Sequence, residues 1–291
     1  MNDFATSDGS ATAWAEADFE RRFGGLRRLY GHVAAQRVFD AHVVVVGIGG
    51  VGSWTAEALA RSGVGHLTLI DLDHIAESNI NRQIHALTPT LGQAKVEAMR
   101  QRIADINPAA HVQVIDDFVT PDNWLELVQR CHDHAPGPFA LIDACDQMSA
   151  KTALAVWALQ HGAYFVTVGA AGGKRAGHAV EVADLAATTH DPLLAQLRYR
   201  LRKHHQASRT GNLHVPCVFS REPVQAPSTD CALPNGASDG SLNCHGYGSS
   251  VTVTATFGLC AAGVVIDMLA TGKKITKKLG NSSKPQKMPL E

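Results

Sequence analysis

The sequence predicts an α/β fold with a Rossmann-like, mostly parallel sheet that carries helices on both faces. Three observations lead to this prediction. Short apolar runs without polar alternation recur through the first half of the chain, as in strands that are buried on both faces. Segments with apolar residues at helical spacing separate these runs. A glycine-rich turn at 47–52 follows the first run, and such turns often join a strand to a helix.

The first strand, helix and second strand are predicted on either side of this turn. The valine-rich run 42–48 is predicted as a buried strand, 54–62 as a helix and 66–70 as a second strand. The next helix, 94–106, has apolar residues at positions 96, 99, 103 and 106, which lie on one helical face. Asn107-Pro108 should end it, because the residue before a proline avoids the helical conformation.

The same alternation continues along the chain. A third strand is predicted over 112–115. Thr120 and Pro121 form a favourable helix start, because threonine can cap the end and proline suits the first helical position. The remaining predicted elements are two strands and the helix between them, at 139–143, 164–168 and 150–161. This βαβα order predicts that the strands run parallel.

The second half of the chain differs in composition. A basic amphipathic helix is predicted over 191–203, and a loop of about 204–245, rich in proline, glycine, serine and asparagine, follows it. We expect one domain over 21–272, between a flexible start at 1–20 and a mobile basic tail at 273–291. Its expected parts are a nucleotide-binding half, 38–173, and a substrate-side half, 174–272, in which the long loop is a crossover connection.

Composition limits the class of protein. The 291 residues carry a formal net charge of −1 and are 45% hydrophobic, which is enough for a large core. The six cysteines form no C-x-x-C pair, so no structural zinc is expected. The N-terminus lacks a signal-peptide pattern, so a cytoplasmic location is predicted. The apolar run 251–270 has the length of a membrane span, but its threonines, glycines and Asp267 favour a buried helix.

The glycine-rich turn predicts a nucleotide site. Gly47, Gly49, Gly50 and Gly52 fit G-x-G-x-x-G and its surroundings, in which the backbone can approach a phosphate at the start of a helix. Asp71 ends the next predicted strand, where a carboxylate can bind a ribose hydroxyl. These residues alone leave both a nicotinamide-dependent oxidoreductase and an ATP-using enzyme open.

A second polar block favours ATP cleavage. Asp73, Asn79, Arg82 and Gln83 follow the second strand, and Lys95 begins the next helix. Cations placed there would stabilise the charge that develops on an α-phosphate and on departing pyrophosphate, whereas a dehydrogenase has little use for them. We therefore interpret Arg82 and Lys95 as catalytic residues and all five as nucleotide-binding residues.

A carboxylate for a metal ion is expected at the end of the fourth strand. Asp146 is the predicted catalytic ligand for Mg²⁺ on the triphosphate, because hard cations prefer carboxylate and phosphate oxygens. Asp143 is the alternative ligand, or a helix cap.

Together these motifs resemble the ubiquitin-activating-enzyme superfamily, including the adenylyltransferases of molybdopterin and thiamine synthesis. The likeness rests on G-x-G-G-x-G, Asp71, S-N-x-x-R-Q from position 78, G-x-x-K from 92 and Asp146. It implies that 21–272 is an adenylation domain in which Gly49 and Gly52 approach the phosphates of ATP. It also implies a ribose contact for Asp71, triphosphate contacts for Asn79, Arg82, Gln83 and Lys95, a Mg²⁺ contact for Asp146, and a homodimer.

Further motifs are similar to those of the tRNA threonylcarbamoyladenosine dehydratase family. They are R-F-G-G at 22–25, N-R-Q-I-H-A-L at 81–87, D-D-F-V-T-P-D-N at 116–123, C-V-F-S at 217–220 and T-V-T-A-T-F-G at 252–258. This resemblance implies adenylation of the threonine carboxylate on the modified adenosine beside the anticodon. Ring closure then expels AMP.

Several features depart from the wider superfamily. Gly25 stands where an arginine that reaches the partner subunit is expected, which leaves Arg22 and Arg28 as candidates. Cys217 and Cys231 lie near the place of a thioester cysteine, although an intramolecular cyclisation needs none. An adenylyltransferase for a ubiquitin-like sulfur-carrier protein stays the alternative function, with sulfur-mobilising partner proteins possible.

A basic cluster marks a candidate tRNA surface. Its members, which lie in one stretch without an acidic residue, are Arg198, Arg200, Arg202, Lys203 and Arg209. Such a cluster can pair with backbone phosphates, although it also suits a solvated helix face. The family resemblance favours tRNA, and no DNA partner is expected.

Overall fold

The computed structural model describes residues 18–132, 137–226 and 247–274, and these form a seven-stranded sheet flanked by helices. The strands are β1 His42–Val46, β2 His66–Ile70, β3 His111–Ile115, β4 Phe139–Asp143, β5 Tyr164–Val168, β6 Val180–Asp184 and β7 Pro216–Ser220. The helices are α1 Phe19–Tyr30, α2 His32–Phe39, α3 Gly52–Arg61, α4 Lys95–Ile106, α5 Trp124–His132, α6 Met148–His161, α7 Pro192–His204 and α8 Val251–Thr271.

The strand order is β3-β2-β1-β4-β5-β7-β6, and among the strand pairs of the described residues β6–β7 alone is antiparallel. Every residue of β1 is buried, as its run of apolar side chains predicts. The order reverses between β1 and β4, so the loops that follow these two strands diverge to opposite faces and leave a crevice between them. The predicted Rossmann-like α/β fold with a mostly parallel sheet is confirmed.

Two apolar clusters cover the two faces of the sheet. One includes Val43 and Val45 with residues of α3, α4 and α8, and the other includes Val44 and Val46 with residues of α5, α6 and α7. Successive side chains of β1 point to opposite faces of the sheet, so this one strand contributes to both apolar clusters. The helices on both faces match the prediction.

Helix α8 is the long apolar segment whose composition also suits a membrane span. It packs on the sheet and on α3, and 61% of its most apolar window is buried. Gly258 allows the close approach, because a Cβ atom there would lie 2.5 Å from the carbonyl oxygen of Val51. The prediction of a buried helix is confirmed.

Several elements differ from the sequence-based prediction. Strand β7 lies inside the predicted long loop, where its short apolar run is flanked by loop-forming residues and becomes a strand only through pairing with β5 and β6. Strand β6 and helices α1 and α2 were not predicted. Helix α5 runs over Trp124–His132, and Thr120 caps the turn that leads into it, because its Oγ1 accepts from the Asn123 N–H at 3.2 Å and its carbonyl from the Trp124 N–H at 3.1 Å.

Candidate active site

A cleft of about 530 Å³ opens at the carboxyl ends of β1, β2 and β4, where the strand order reverses. Its lining contains the predicted nucleotide residues Gly47, Gly49, Gly50, Asp71, Asp73, Asn79, Arg82, Gln83, Lys95 and Asp146. The segments after three different strands therefore bring together residues that are up to about one hundred positions apart in the sequence. Gly52 lies just below, at the first turn of α3.

The glycine turn is shaped by close backbone contacts. Gly47 has a φ of 87°, which side chains disfavour, and a Cβ at Gly52 would lie 1.7 Å from the carbonyl oxygen of Gly47. Gly49 differs, because its Cβ would meet nothing closer than Gln83 Nε2 at 4.0 Å. The first turn of α3 has no side-chain cap, so its free N–H groups are available to an anion.

Asp71 connects β2 to this turn. Its Oδ2 accepts a hydrogen bond from the Ile48 N–H at 2.6 Å, and its Oδ1 accepts one from the Asp73 N–H at 2.9 Å. Burial raises the pKa of Asp71, whereas Lys95 and these two N–H groups oppose the increase. The carboxylate is thus fixed at the edge of the cleft, with lone pairs left for a ribose hydroxyl.

Arg82 is held by its main chain and by one guanidinium nitrogen. Its carbonyl oxygen accepts hydrogen bonds from Trp54 Nε1 at 3.0 Å and Thr254 Oγ1 at 3.3 Å, and its Nη1 donates to the Ser78 carbonyl at 2.6 Å. Arg82 Nε and Gln83 Oε1 are buried without a hydrogen-bond partner among the described residues. Buried polar atoms are rarely left in this state, so these two atoms suit a polar ligand in the cleft.

Lys95 faces the same space. Its side chain is buried, and its Nζ lies 2.6 Å from Asp73 Oδ2. Asp73 is more than half exposed, so the pair borders the cleft instead of being sealed within the protein. A phosphate entering the cleft would compete with Asp73 for the ammonium group.

The aspartate that ends β4 and the one in the turn after it have different environments. Asp143 is fully buried, and its two oxygens contact Lys151, Thr167 and Cys145. Asp146 is exposed and lines the cleft. Because Asp143 has no access to a ligand, Asp146 is the carboxylate of the two that fits a metal ion on a nucleotide.

Three residues that support or line the cleft were not among the sequence-based candidates, and of these Phe118 and Thr254 line it. Trp54 and Thr254 fix the Arg82 carbonyl, and Thr254 comes from α8, more than 170 positions away. Phe118 lines the cleft and is 40% exposed. Its position just after β3, at the same edge of the sheet as the glycine turn, was the signal that could have identified it.

Two candidate thiols and two candidate arginines remain from the sequence-based prediction. Cys217 is buried in β7 and burial raises its pKa, which argues against a thioester there, and Cys231 lies outside the described residues. Arg22 Nη1 donates to the Ile106 carbonyl at 2.8 Å, so it binds the end of α4 of its own chain. Arg28 is exposed on α1.

The basic cluster is divided by the fold. Arg198 Nη1 donates to the carbonyls of Leu185 and Thr188, and Arg202 Nε donates to the Ser208 carbonyl. Arg198 therefore binds two carbonyls of its own chain through Nη1, and the tRNA contact expected for it stays a prediction. Lys203 and Arg209 are exposed, and Arg200 is partly exposed.

His85 predicts a pH-dependent stability. It is 2% exposed, neither ring nitrogen has a hydrogen-bond partner among the described residues, and burial near Lys95 and Arg102 lowers its pKa to about 4. The neutral ring stabilises the fold above the unfolded pKa of 6.5, and this contribution is lost as the pH falls towards 4. Wild type should lose up to about 1.4 kcal/mol of unfolding free energy per pH unit in that window through His85.

The variant His85→Leu tests this prediction. Urea unfolding at pH 8 and pH 5 should show a decline in stability that is about 2 kcal/mol smaller in the variant than in wild type. Equal declines in the two proteins would show that His85 does not carry this pH dependence.

Comparisons with known proteins agree with this geometry. The profile of the ThiF family matches residues 24–287. The tRNA threonylcarbamoyladenosine dehydratase of Escherichia coli is 45% identical over 250 residues, which are 84% of this chain and 91% of that protein. The Haemophilus influenzae protein of the same name is 41% identical over 266 residues, which are 90% of this chain and 98% of that protein.

Solved structures give the same result. The E. coli tRNA N6-threonylcarbamoyladenosine dehydratase in complex with ATP superimposes with a TM-score of 0.74 at 42% identity, over 87% of this chain and 95% of that chain. Its complex with AMP gives the same TM-score and identity, over 96% of that chain. The resemblance predicted from the motifs is confirmed, and the chain belongs to the ThiF family.

Proposed function

We propose that this protein is an ATP-dependent tRNA threonylcarbamoyladenosine dehydratase. The observation that carries the proposal is the near full-length similarity to proteins of that name, one of which has been solved with ATP and with AMP. The cleft supports it, because Arg82, Gln83 and Lys95 all line one space beside the glycine turn. The tRNA substrate implies a cytoplasmic location.

The first step is adenylation of the threonine carboxylate. One carboxylate oxygen attacks the α-phosphate, the bond from that phosphorus to the bridging oxygen breaks, and pyrophosphate leaves. Arg82 and Lys95 stabilise the charge that develops, and the N–H groups at the start of α3 bind phosphate oxygens. No general base is required, since a carboxylate is already ionised at neutral pH.

The second step closes the ring. A nucleophilic atom of the carbamoyl group attacks the activated acyl carbon and loses its proton, and AMP departs with the former carboxylate oxygen. The net change in the nucleoside is the loss of one water. Because the nucleophile is tethered to the acyl group, its effective concentration is high, and no thioester intermediate is needed.

Asp146 is the residue that would hold Mg²⁺. Its exposed carboxylate lies in the cleft, whereas Asp143 is fully engaged in the interior. The ion would supply positive charge to the triphosphate oxygens. Asp71 would bind the ribose. The side chains of Trp54 and Thr254 keep Arg82 in place, because both donate hydrogen bonds to its carbonyl oxygen.

The test is mass spectrometry of nucleosides from threonylcarbamoyl-modified tRNA incubated with the protein and ATP. Conversion to a nucleoside lighter by one water, with AMP as product, is expected. An adenylated or thioester-linked carrier protein in place of this nucleoside would favour the sulfur-carrier alternative. Conversion that depends on NAD and not on ATP would favour an oxidoreductase.

The tRNA would extend from the cleft along α7. Leu193 at the start of this helix lines the cleft, and the outer face near its end carries Tyr199, Arg200 and Lys203. Tyr199 is 57% exposed, and Lys203 Nζ lies 5.2 Å from the centre of its ring. Exposed cations beside an aromatic ring suit phosphates and an unpaired base.

Removing two of these charges should weaken tRNA binding. For the double variant Arg200→Ala, Lys203→Ala we expect a loss of about two from the slope of log affinity against log salt, with ATP binding unchanged. The control is Arg21→Ala, Arg100→Ala, which removes the same charge from α1 and α4. An equal loss of slope in the control would contradict a specific role for α7.

A homodimer is also part of the proposal. The outer face of α8 carries the exposed residues Leu259, Gly263 and Asp267 beside the partly buried Ala255 and Val264. These mostly small and apolar side chains would suit close packing against a second copy. Sedimentation of the purified protein measures the assembly state directly.

A further inference from the structure

A buried ionic cluster lies directly beneath the cleft. Lys151 and Asp143 are both 0% exposed, and Lys151 Nζ lies 2.8 Å from Asp143 Oδ2. The same ammonium group donates to Thr167 Oγ1 and to the Val168 carbonyl, each at 3.0 Å. Thr167 Oγ1 in turn donates to Asp143 Oδ2 at 2.6 Å. All three donors of the lysine are used within the protein.

The cluster connects the ends of β4 and β5 with the first turn of α6. Asp143 is the last residue of β4, Thr167 and Val168 end β5, and Lys151 lies in the first turn of α6. The segments that follow these strands form two walls of the cleft, at 144–147 and 169–172. The lysine therefore connects the two strand ends from which both walls begin.

The second oxygen of Asp143 acts on the wall that carries Asp146. Its Oδ1 accepts hydrogen bonds from the Cys145 N–H at 3.3 Å and from the Cys145 Sγ–H at 3.0 Å. Burial, together with the charge on Asp143, raises the pKa of Cys145, so this thiol is a hydrogen-bond donor and not a nucleophile. The aspartate thus fixes the main chain one residue before Asp146.

Stability alone does not account for this arrangement. Replacing a buried ion pair by apolar side chains of similar volume is often neutral or stabilising, because the desolvation of two charges offsets their attraction. Every donor of the ammonium group is occupied, and neither residue is accessible from the cleft, so the pair does not bind a ligand itself. The remaining role for the ion pair is to fix the backbone from which the two cleft walls extend.

We propose that Lys151 and Asp143 are positioning residues that fix the Asp146 turn and the 169–172 wall in the geometry required for adenylation. This inference rests on the proposed function, because it assigns the benefit to the nucleotide step. A displacement of about 1 Å at a reacting group can reduce a rate by about 10²-fold, which sets the size of the expected effect.

The test uses the double variant Lys151→Met, Asp143→Val, which replaces both charges by apolar side chains of roughly similar volume. We expect a urea midpoint near that of wild type and, with modified tRNA as the carboxylate substrate, a kcat for ATP–pyrophosphate exchange about 10²-fold lower. ATP affinity without Mg²⁺ should be unchanged, while the gain in affinity on adding Mg²⁺ should be lost. The control pair is Glu57→Gln, Arg102→Met, which removes a part-buried ion pair between α3 and α4.

Wild-type kcat and a wild-type response to Mg²⁺ in the stable double variant would overturn the inference. If that variant does not fold, the single variant Thr167→Val tests the inference instead, because it removes only the hydroxyl that bridges Lys151 and Asp143. A loss of about 10-fold or more in kcat supports positioning, and an unchanged kcat overturns it. Failure of wild type to modify tRNA would instead count against the proposed function, because ATP binding and its Mg²⁺ response are measured without tRNA.

Discussion

Replacing Arg82 by alanine is expected to reduce ATP–pyrophosphate exchange by about 10²–10³-fold, the usual effect of removing one group that stabilises developing charge. Its guanidinium is held in place by contacts with Ser78 and Asn81, while its Nε has no hydrogen-bond partner within the described part of the chain. Asp146→Ala should cause a comparable loss, because the variant lacks the exposed carboxylate that suits Mg²⁺. Isotope exchange between pyrophosphate and ATP, with the modified tRNA present to supply the carboxylate, measures both variants.

The two losses should have different signatures. Raising Mg²⁺ should partly restore Asp146→Ala but leave Arg82→Ala unchanged, because only the first variant loses an ion contact. Arg100→Ala, which removes an exposed arginine on α4, is the control and should exchange at the wild-type rate. Near-normal exchange in Arg82→Ala would contradict the assignment of this residue.

Gly52→Ala should affect both folding and nucleotide binding. Its new methyl group would lie 1.7 Å from the Gly47 carbonyl oxygen, so the glycine turn or the start of α3 must move. We expect a loss of about 3 kcal/mol or more in unfolding free energy, at the upper end for overpacked sites, and no measurable ATP binding by calorimetry.

Gly49→Ala separates packing from binding at the same turn. A Cβ there meets nothing closer than 4.0 Å, so unfolding free energy should change little, whereas ATP affinity should fall because the methyl group occupies the space of a phosphate. A variant Gly49→Ala with unchanged ATP affinity would show that the phosphates do not pass over this residue. Wild-type stability in Gly52→Ala would show that the turn adapts.

The cleft residues that the sequence identified share one property. The glycines, Asp71, Asn79, Arg82, Lys95 and Asp146 follow strands or begin helices, and in a parallel sheet all such positions meet at one edge. Spacing along the chain was therefore enough to predict that these residues converge. The same logic applies to Phe118 at the end of β3, which the prediction omitted.

Other features depend on contacts between distant segments. Arg198 and Lys203 look alike in the sequence, yet one binds carbonyls at 185 and 188 and the other faces solvent. The sequence likewise does not reveal that Asp143 pairs with Lys151 in the interior, whereas Asp146 is exposed. Side-chain polarity alone does not reveal a partner, because a buried charge is recognised only by what surrounds it.

The sequence by itself determined the parallel core of the sheet, the glycine turn and the set of polar residues that follow it. These depend on local patterns, namely the apolar period of strands and helices and the glycine positions that sterics require. Tertiary structure decided that 216–220 is a strand, that Thr254 of α8 supports Arg82, and that Asp143 is an internal anchor. Each of these depends on pairing or burial against residues far away in the chain, which no local pattern records.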